Sequence, residues 1–231
     1  MGAGCACVRN LCVYTPARLS GREAAVACLP AVAIVAAATK CVNSLMLELA
    51  DGEDWIFGYG SLMWDPGFAA VEVRPALLRG YHRRFCIYSH RYRGTPEQPG
   101  LVLGLDRGGA CRGIAFRLPR RGRRAVLEYL WEREMNNRVY EPRPVPLTLL
   151  DGKAPAQIKA RAFVVNRDHR QYTGRISIGR TARLIVQGVG GRGRCRDYLA
   201  NTVRHLEELG IAEGPLHELL RRVDRLAGAA A

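Results

Sequence analysis

The stretches ALLRGYHRRFCIYS (76–89), LVLGLD (101–106) and RGIAFRL (112–118) decide how this chain folds. Each is a short run of aliphatic, aromatic and β-branched residues bounded by turn formers, the pattern of a strand. The polar segment Arg93-Gly94-Thr95-Pro96-Glu97-Gln98-Pro99-Gly100 between the first two reads as a loop. Arg107-Gly108-Gly109 between the second and third predicts a hairpin turn. No helical pattern separates these strands, so they predict antiparallel pairing rather than alternating βαβ units. Pro119 stops the last of them.

Upstream, Trp55-Ile56-Phe57-Gly58-Tyr59 reads as a strand entering a tight turn at Gly58, Gly60 and Ser61. Glycines here permit positive φ and close approach of a ligand, and consecutive N–H groups in such a turn form a small anion nest. The same residues also suit a plain strand-ending turn, and the turn alone does not choose between the two.

Downstream, Arg123 to Met135 turns helical. Leu127, Leu130 and Glu134 fall at i, i+3 and i+7, so Glu134 takes the next slot on the apolar stripe. Glu132 lies about 200° around the helix from it, on the face of Glu128. A carboxylate continuing a buried face is costly without partners or a task, and burial raises its pKa toward what a general base needs near neutrality. The alternative is a helix that frays there and turns Glu134 to solvent. Pro146–Leu150 and Gln157–Val165 read as strands around Asp151-Gly152, and Arg180–Gln187 as a helix. The glycine cluster 188–193 lacks the βαβ context and the acidic residue of a dinucleotide site. Tyr198–Leu209 is amphipathic, and Pro215 opens a last helix.

Hydrophobic residues form 48% of the 231 and charged residues 24%, with a net charge of +14. That balance belongs to a globular protein whose basic surface attracts anions. Zinc-finger, helix-turn-helix and RNA-binding signatures are lacking, so no nucleic-acid partner is expected. Of eight cysteines, Cys5, Cys7, Cys12, Cys28 and Cys41 crowd the start, leaving Cys86, Cys111 and Cys195. No Cys-x-x-Cys pair occurs, so packed, reduced thiols are expected rather than a zinc site or disulfide framework. Residues 1–45 differ in composition from the rest. We read them as an extension, disordered or the product of an upstream start assignment, ahead of a domain at 46–231. An export signal is the alternative, and Ala6 argues against myristoylation.

Taken together, Trp55 to Trp64, Arg83-Arg84-Phe85, Tyr92 to Glu97 with Pro99-Gly100, Gly113 to Leu118, Trp131 to Met135, and Gly193-Arg194 with Tyr198-Leu199 resemble the ChaC family of γ-glutamylcyclotransferases. The likeness runs from about residue 54 to about 227. It implies an α+β fold, a small mixed β-barrel with flanking helices. It also implies cleavage of glutathione to 5-oxoproline and Cys-Gly in the cytoplasm, with no metal or other cofactor and no membrane partner. By the same resemblance Glu134 is the catalytic residue. Tyr59, Gly60, Ser61 and Leu62 bind the substrate's carboxylate end, and Tyr198 helps position it. Cys195 stands where the family commonly has Asn. Two alternatives are a cyclotransferase for other γ-glutamyl peptides or amines, and a non-catalytic regulatory module linked to cation transport.

Overall fold

Strand alternation explains the architecture. The computed structural model describes residues 54–135, 137–152 and 156–229, all within one compact unit. The expected extension 1–45 and the boundary at residue 46 lie outside the described residues. Five strands close a barrel in the order β1-β3-β2-β4-β5: β1 Trp55–Gly58, β2 Glu72–Ser89, β3 Gly100–Arg117, β4 Tyr140–Leu149 and β5 Ala156–Val165. Only β1 and β5 run parallel. Alternate residues of all five strands, among them Phe57, Leu78, Leu105, Leu147 and Ala162, meet in one interior cluster. Their neighbours point outward. Ile56 and Phe163 pack beneath helix α1 (Arg123–Glu134) with Leu127 and Leu130.

The other outer face is covered by α2 (Ile178–Gln187), α3 (Cys195–Glu208) and α4 (Gly214–Gly228). Ile185, Leu199, Leu206 and Val223 from these helices bury Phe85, Leu101, Leu103 and Phe116 of the barrel. Pro215 lies in the first turn of α4, as its fixed φ favours. No helix among the described residues is long and apolar enough to cross a membrane.

Two expectations need correction. Arg107-Gly108-Gly109 is not a hairpin: β3 runs unbroken through it for 18 residues. Gly108 and Gly109 take φ of 104° and 70°, and across the ladder Gly80 takes 82° at a register shift. The glycines form an irregularity that bends both long strands, which a closed barrel requires. Strand β4 also begins six residues before the expected Pro146. Pro142, Pro144 and Pro146 alternate along it, and β2 pairs with β4 only at 147–149, beyond the last of them. A residue without an N–H is tolerated where no ladder bond is asked of it.

Candidate active site

The site grows from the end of β1. Gly60 precedes a one-turn helix, Ser61–Met63, in which Met63 N–H donates to the Gly60 carbonyl at 2.9 Å. The first N–H groups of any such turn have no partner within it. Neither Gly58 nor Gly60 adopts the expected positive φ. Gly58 is instead demanded by packing, since a Cβ there would sit 2.9 Å from the Phe116 ring.

Glu134 is the last residue of α1, and its side chain is 17% exposed, whereas Glu132 faces solvent. The helix therefore does not fray to turn Glu134 outward. Burial raises its carboxyl pKa, and the adjacent Arg133 only partly opposes that rise. Arg133 Nε lies 3.3 Å from Glu134 Oε1. The same guanidinium donates to Ser61 Oγ at 3.1 Å, to the Asp65 carbonyl at 2.7 Å and to Tyr129 Oη at 2.9 Å.

Tyr59, Gly60, Ser61, Leu62, Glu134 and Tyr198 line one narrow pocket of about 30 Å³, so all six expected site residues come together. Ser61, Glu134 and Tyr198 also line an adjoining cleft of about 460 Å³. The expectation had not included Arg133 or Tyr140. Tyr140 lines both cavities, donates to the Leu103 carbonyl at 2.7 Å and hydrogen-bonds Tyr59. Arg133 was legible as the neighbour of Glu134; Tyr140 sits in the stretch of β4 that the prolines disguised.

Burial raises the hydroxyls of Tyr59, Tyr140 and Tyr198 above the usual tyrosine range, so each stays a neutral O–H group. Tyr198 packs edge-on against Phe85 at 5.6 Å. Cys195, one turn earlier on α3, points away into the core: its thiol donates to the Leu101 carbonyl at 2.9 Å and accepts from the Leu101 N–H at 3.3 Å. Burial pushes it up to about 11. On the far wall Asp106 is 1% exposed, ion-paired to Arg84 and Arg167 and hydrogen-bonded by Tyr172. This fixes the segment whose Gln171 borders the cleft. Among the described residues no three His, Cys, Asp or Glu side chains gather as a metal site.

A largely buried acid beside a turn whose first N–H groups have no partner within it suits proton transfer on a substrate anchored by a carboxylate. The model of the family described as ChaC-like protein matches residues 54–226. The chain belongs to the ChaC-like family. ChaC relatives are similar along most of its length. The glutathione-specific gamma-glutamylcyclotransferase of Escherichia coli (strain K12) is 37% identical over 189 residues, covering 82% of this chain and 80% of that protein. Glutathione-specific gamma-glutamylcyclotransferase 1 of Homo sapiens is 33% identical over 159 residues, covering 68% of this chain and 71% of its own. A crystal structure of the yeast γ-glutamylcyclotransferase specific to glutathione superposes with a TM-score of 0.66 at 23% identity, over 74% of this chain and 95% of that one. The barrel with flanking helices is thus the fold of this ChaC-like chain.

Proposed function

We propose that this ChaC-like protein is a glutathione-specific γ-glutamylcyclotransferase, releasing 5-oxoproline and Cys-Gly. One observation carries the reading: a buried carboxyl of raised pKa, Glu134, lines the same narrow pocket as the Tyr59–Leu62 turn. The names of the E. coli and human relatives support it.

Glutathione brings its own nucleophile, the α-amino group of the γ-glutamyl unit. The N–H groups of the turn hold its α-carboxylate. Glu134 takes a proton from the α-ammonium, and the neutral amine attacks the γ-carbonyl carbon to close a five-membered ring. As the bond from that carbon to the cysteine nitrogen breaks, Glu134 returns the proton to the departing nitrogen; the ring nitrogen, left cationic by the attack, then gives its extra proton to the regenerated carboxylate, which passes it to the released amine of Cys-Gly. Holding amine and carbonyl near attack distance supplies several kcal/mol of the barrier lowering, on the order of 7 at the lower end for well-oriented groups. Tyr198 and Tyr140 border the reacting groups as neutral hydroxyls, that of Tyr140 held by the Leu103 carbonyl. Arg133 fixes the turn through Ser61 and offsets the charge of Glu134 once the proton has left.

The work belongs in the cytoplasm, where thiols stay reduced, in keeping with the free buried Cys86, Cys111 and Cys195. The proposal gives no role to nucleic acid or to a membrane. The test is direct: purified protein is incubated with glutathione, oxidised glutathione and γ-glutamyl dipeptides, and 5-oxoproline is quantified. Release from glutathione above the others is expected. No release from glutathione, or faster release from the dipeptides, overturns the assignment.

A further inference from the structure

The outer wall of the cleft carries charge that the ring closure does not use. The loop between β2 and β3 supplies Arg91, Tyr92 and Arg93, and a two-stranded ribbon, β6 Val189–Gly190 and β7 Gly193–Arg194, presents Arg192 at its turn. Arg74, Arg84, Arg117, Arg123 and Arg133 are each paired with a carboxylate. Arg91, Arg93 and Arg192 have no carboxylate partner among the described residues; they rest on aromatic rings and backbone instead. The guanidinium carbons of Arg91 and Arg192 lie 5.7 and 4.9 Å from the centroid of the Tyr92 ring. That of Arg93 lies 4.9 Å from the Tyr198 ring, with Nη1 donating to the carbonyls of Arg192 and Arg194.

The backbone sets these groups in register. Gly191 N–H donates to the Arg91 carbonyl at 2.8 Å and Arg192 N–H to the Tyr92 carbonyl at 2.9 Å. Guanidinium groups fixed in this way have already lost much of their rotamer freedom, and their planar donor edges match a carboxylate. Three cations line one cavity, none of them paired with a carboxylate among the described residues, and together they can receive a ligand's carboxylate.

Glutathione has a carboxylate at each end. An extended tripeptide spans about 10 Å, so with the γ-glutamyl end in the narrow pocket its glycyl end lies in the wider cleft. We propose that Arg192, with Arg91 and Arg93, binds the C-terminal glycyl carboxylate of glutathione. The subsite thereby favours tripeptides with a free C-terminus over γ-glutamyl amines and shorter peptides. This rests on the glutathione reading above and names the part of the protein that would enforce it.

The experiment compares kcat/KM for glutathione with that for its glycyl monoethyl ester, in the wild type and in Arg192→Gln and Arg91→Gln. A charge-assisted hydrogen bond predicts a wild-type preference for the free acid of roughly tenfold. That ratio should fall toward one in the variants, through KM rather than kcat. A ratio is insensitive to partial loss of folded protein, and the wild-type comparison stands even if a variant fails to fold. Equal turnover of acid and ester by the wild type, or a ratio unchanged in both variants, overturns the subsite while leaving the cyclotransferase reading intact. Absence of 5-oxoproline from both substrates in the wild type overturns that reading and the subsite with it.

Discussion

Arg133 and Glu134 are chain neighbours whose side chains meet, Nε to Oε1 at 3.3 Å, while the same guanidinium reaches Ser61 Oγ at 3.1 Å. One cation therefore ties the candidate base to the candidate anion-binding turn. Moving either one disturbs the other.

Replacing the acid separates its two effects. Glu134→Gln should lower kcat by about 100-fold or more, the usual contribution of a positioned acid–base group, while Glu132→Gln on the exposed face leaves turnover near wild type. The same Glu134→Gln change should make the fold more stable at alkaline pH. A carboxyl whose folded pKa is raised binds its proton more tightly in the native state. Wild-type stability then falls as pH climbs above the ordinary glutamate value of 4.5, until the folded pKa is passed. Gln carries no such penalty. Urea melts at pH 5 and pH 8 check this, and a gap between the proteins that narrows at pH 8 contradicts it.

Arg133→Met should shift the pH profile. Arg133 lowers the pKa of Glu134 against the larger effect of burial, so its removal lets that pKa rise further. The acidic limb of kcat/KM, which reports loss of a proton from the free base, should move to higher pH. A profile that keeps its limb while falling uniformly in height assigns Arg133 to holding the turn alone.

Gly94→Ala tests how the loop over the cleft is built. A Cβ on Gly94 would lie 2.1 Å from the Gly100 nitrogen and 2.6 Å from the Ser89 carbonyl oxygen; one on Gly190 would lie 2.6 Å from the Gly94 nitrogen. None of these neighbours is a side chain that can swing aside. The substitution should cost about 1–3 kcal/mol, or more if the loop cannot yield. It is measured by chemical denaturation.

Cys195 gives a prediction about reactivity. Its thiol is buried, pushed up to about 11 and bonded both ways to the Leu101 backbone. It should resist iodoacetamide at pH 7.5 in the native protein and react on unfolding, as peptide mapping would show. Cys195→Ser, which keeps a donor and an acceptor, should cost less stability than Cys195→Ala. The Ala variant leaves buried Leu101 backbone groups unpaired, at about 1–3 kcal/mol. Equal losses in the two variants sink this account.

Much of this site could be read in the sequence because helical periodicity is a local property. Leu127 and Leu130 set a stripe, and Glu134 had to follow it whichever partners the helix found. The Tyr59–Leu62 turn was equally legible from its glycines, though for a different reason than supposed: Gly58 makes room for Phe116, which arrives from β3. Long-range facts were hidden. Nothing near Arg107-Gly108-Gly109 tells a hairpin from a bend in a longer strand, because Gly80 on the partner decides it. Tyr140 was lost among prolines whose missing donors matter only once β2 lies alongside. The glycine run 188–193 looked like an aborted nucleotide motif; its purpose shows only when the loop around Gly94 is laid against it.

That helix α1 ends at Glu134 has an electrical consequence. The aligned peptide dipoles of a helix leave a partial negative charge at its C-terminus, which disfavours a second negative charge there. By that rule the helix end works in the same direction as the burial that raises the carboxyl's pKa. Extending the helix by one turn would carry that negative pole past the carboxyl and weaken the effect. The stopping point of a helix is, in this protein, a setting on an acid's strength.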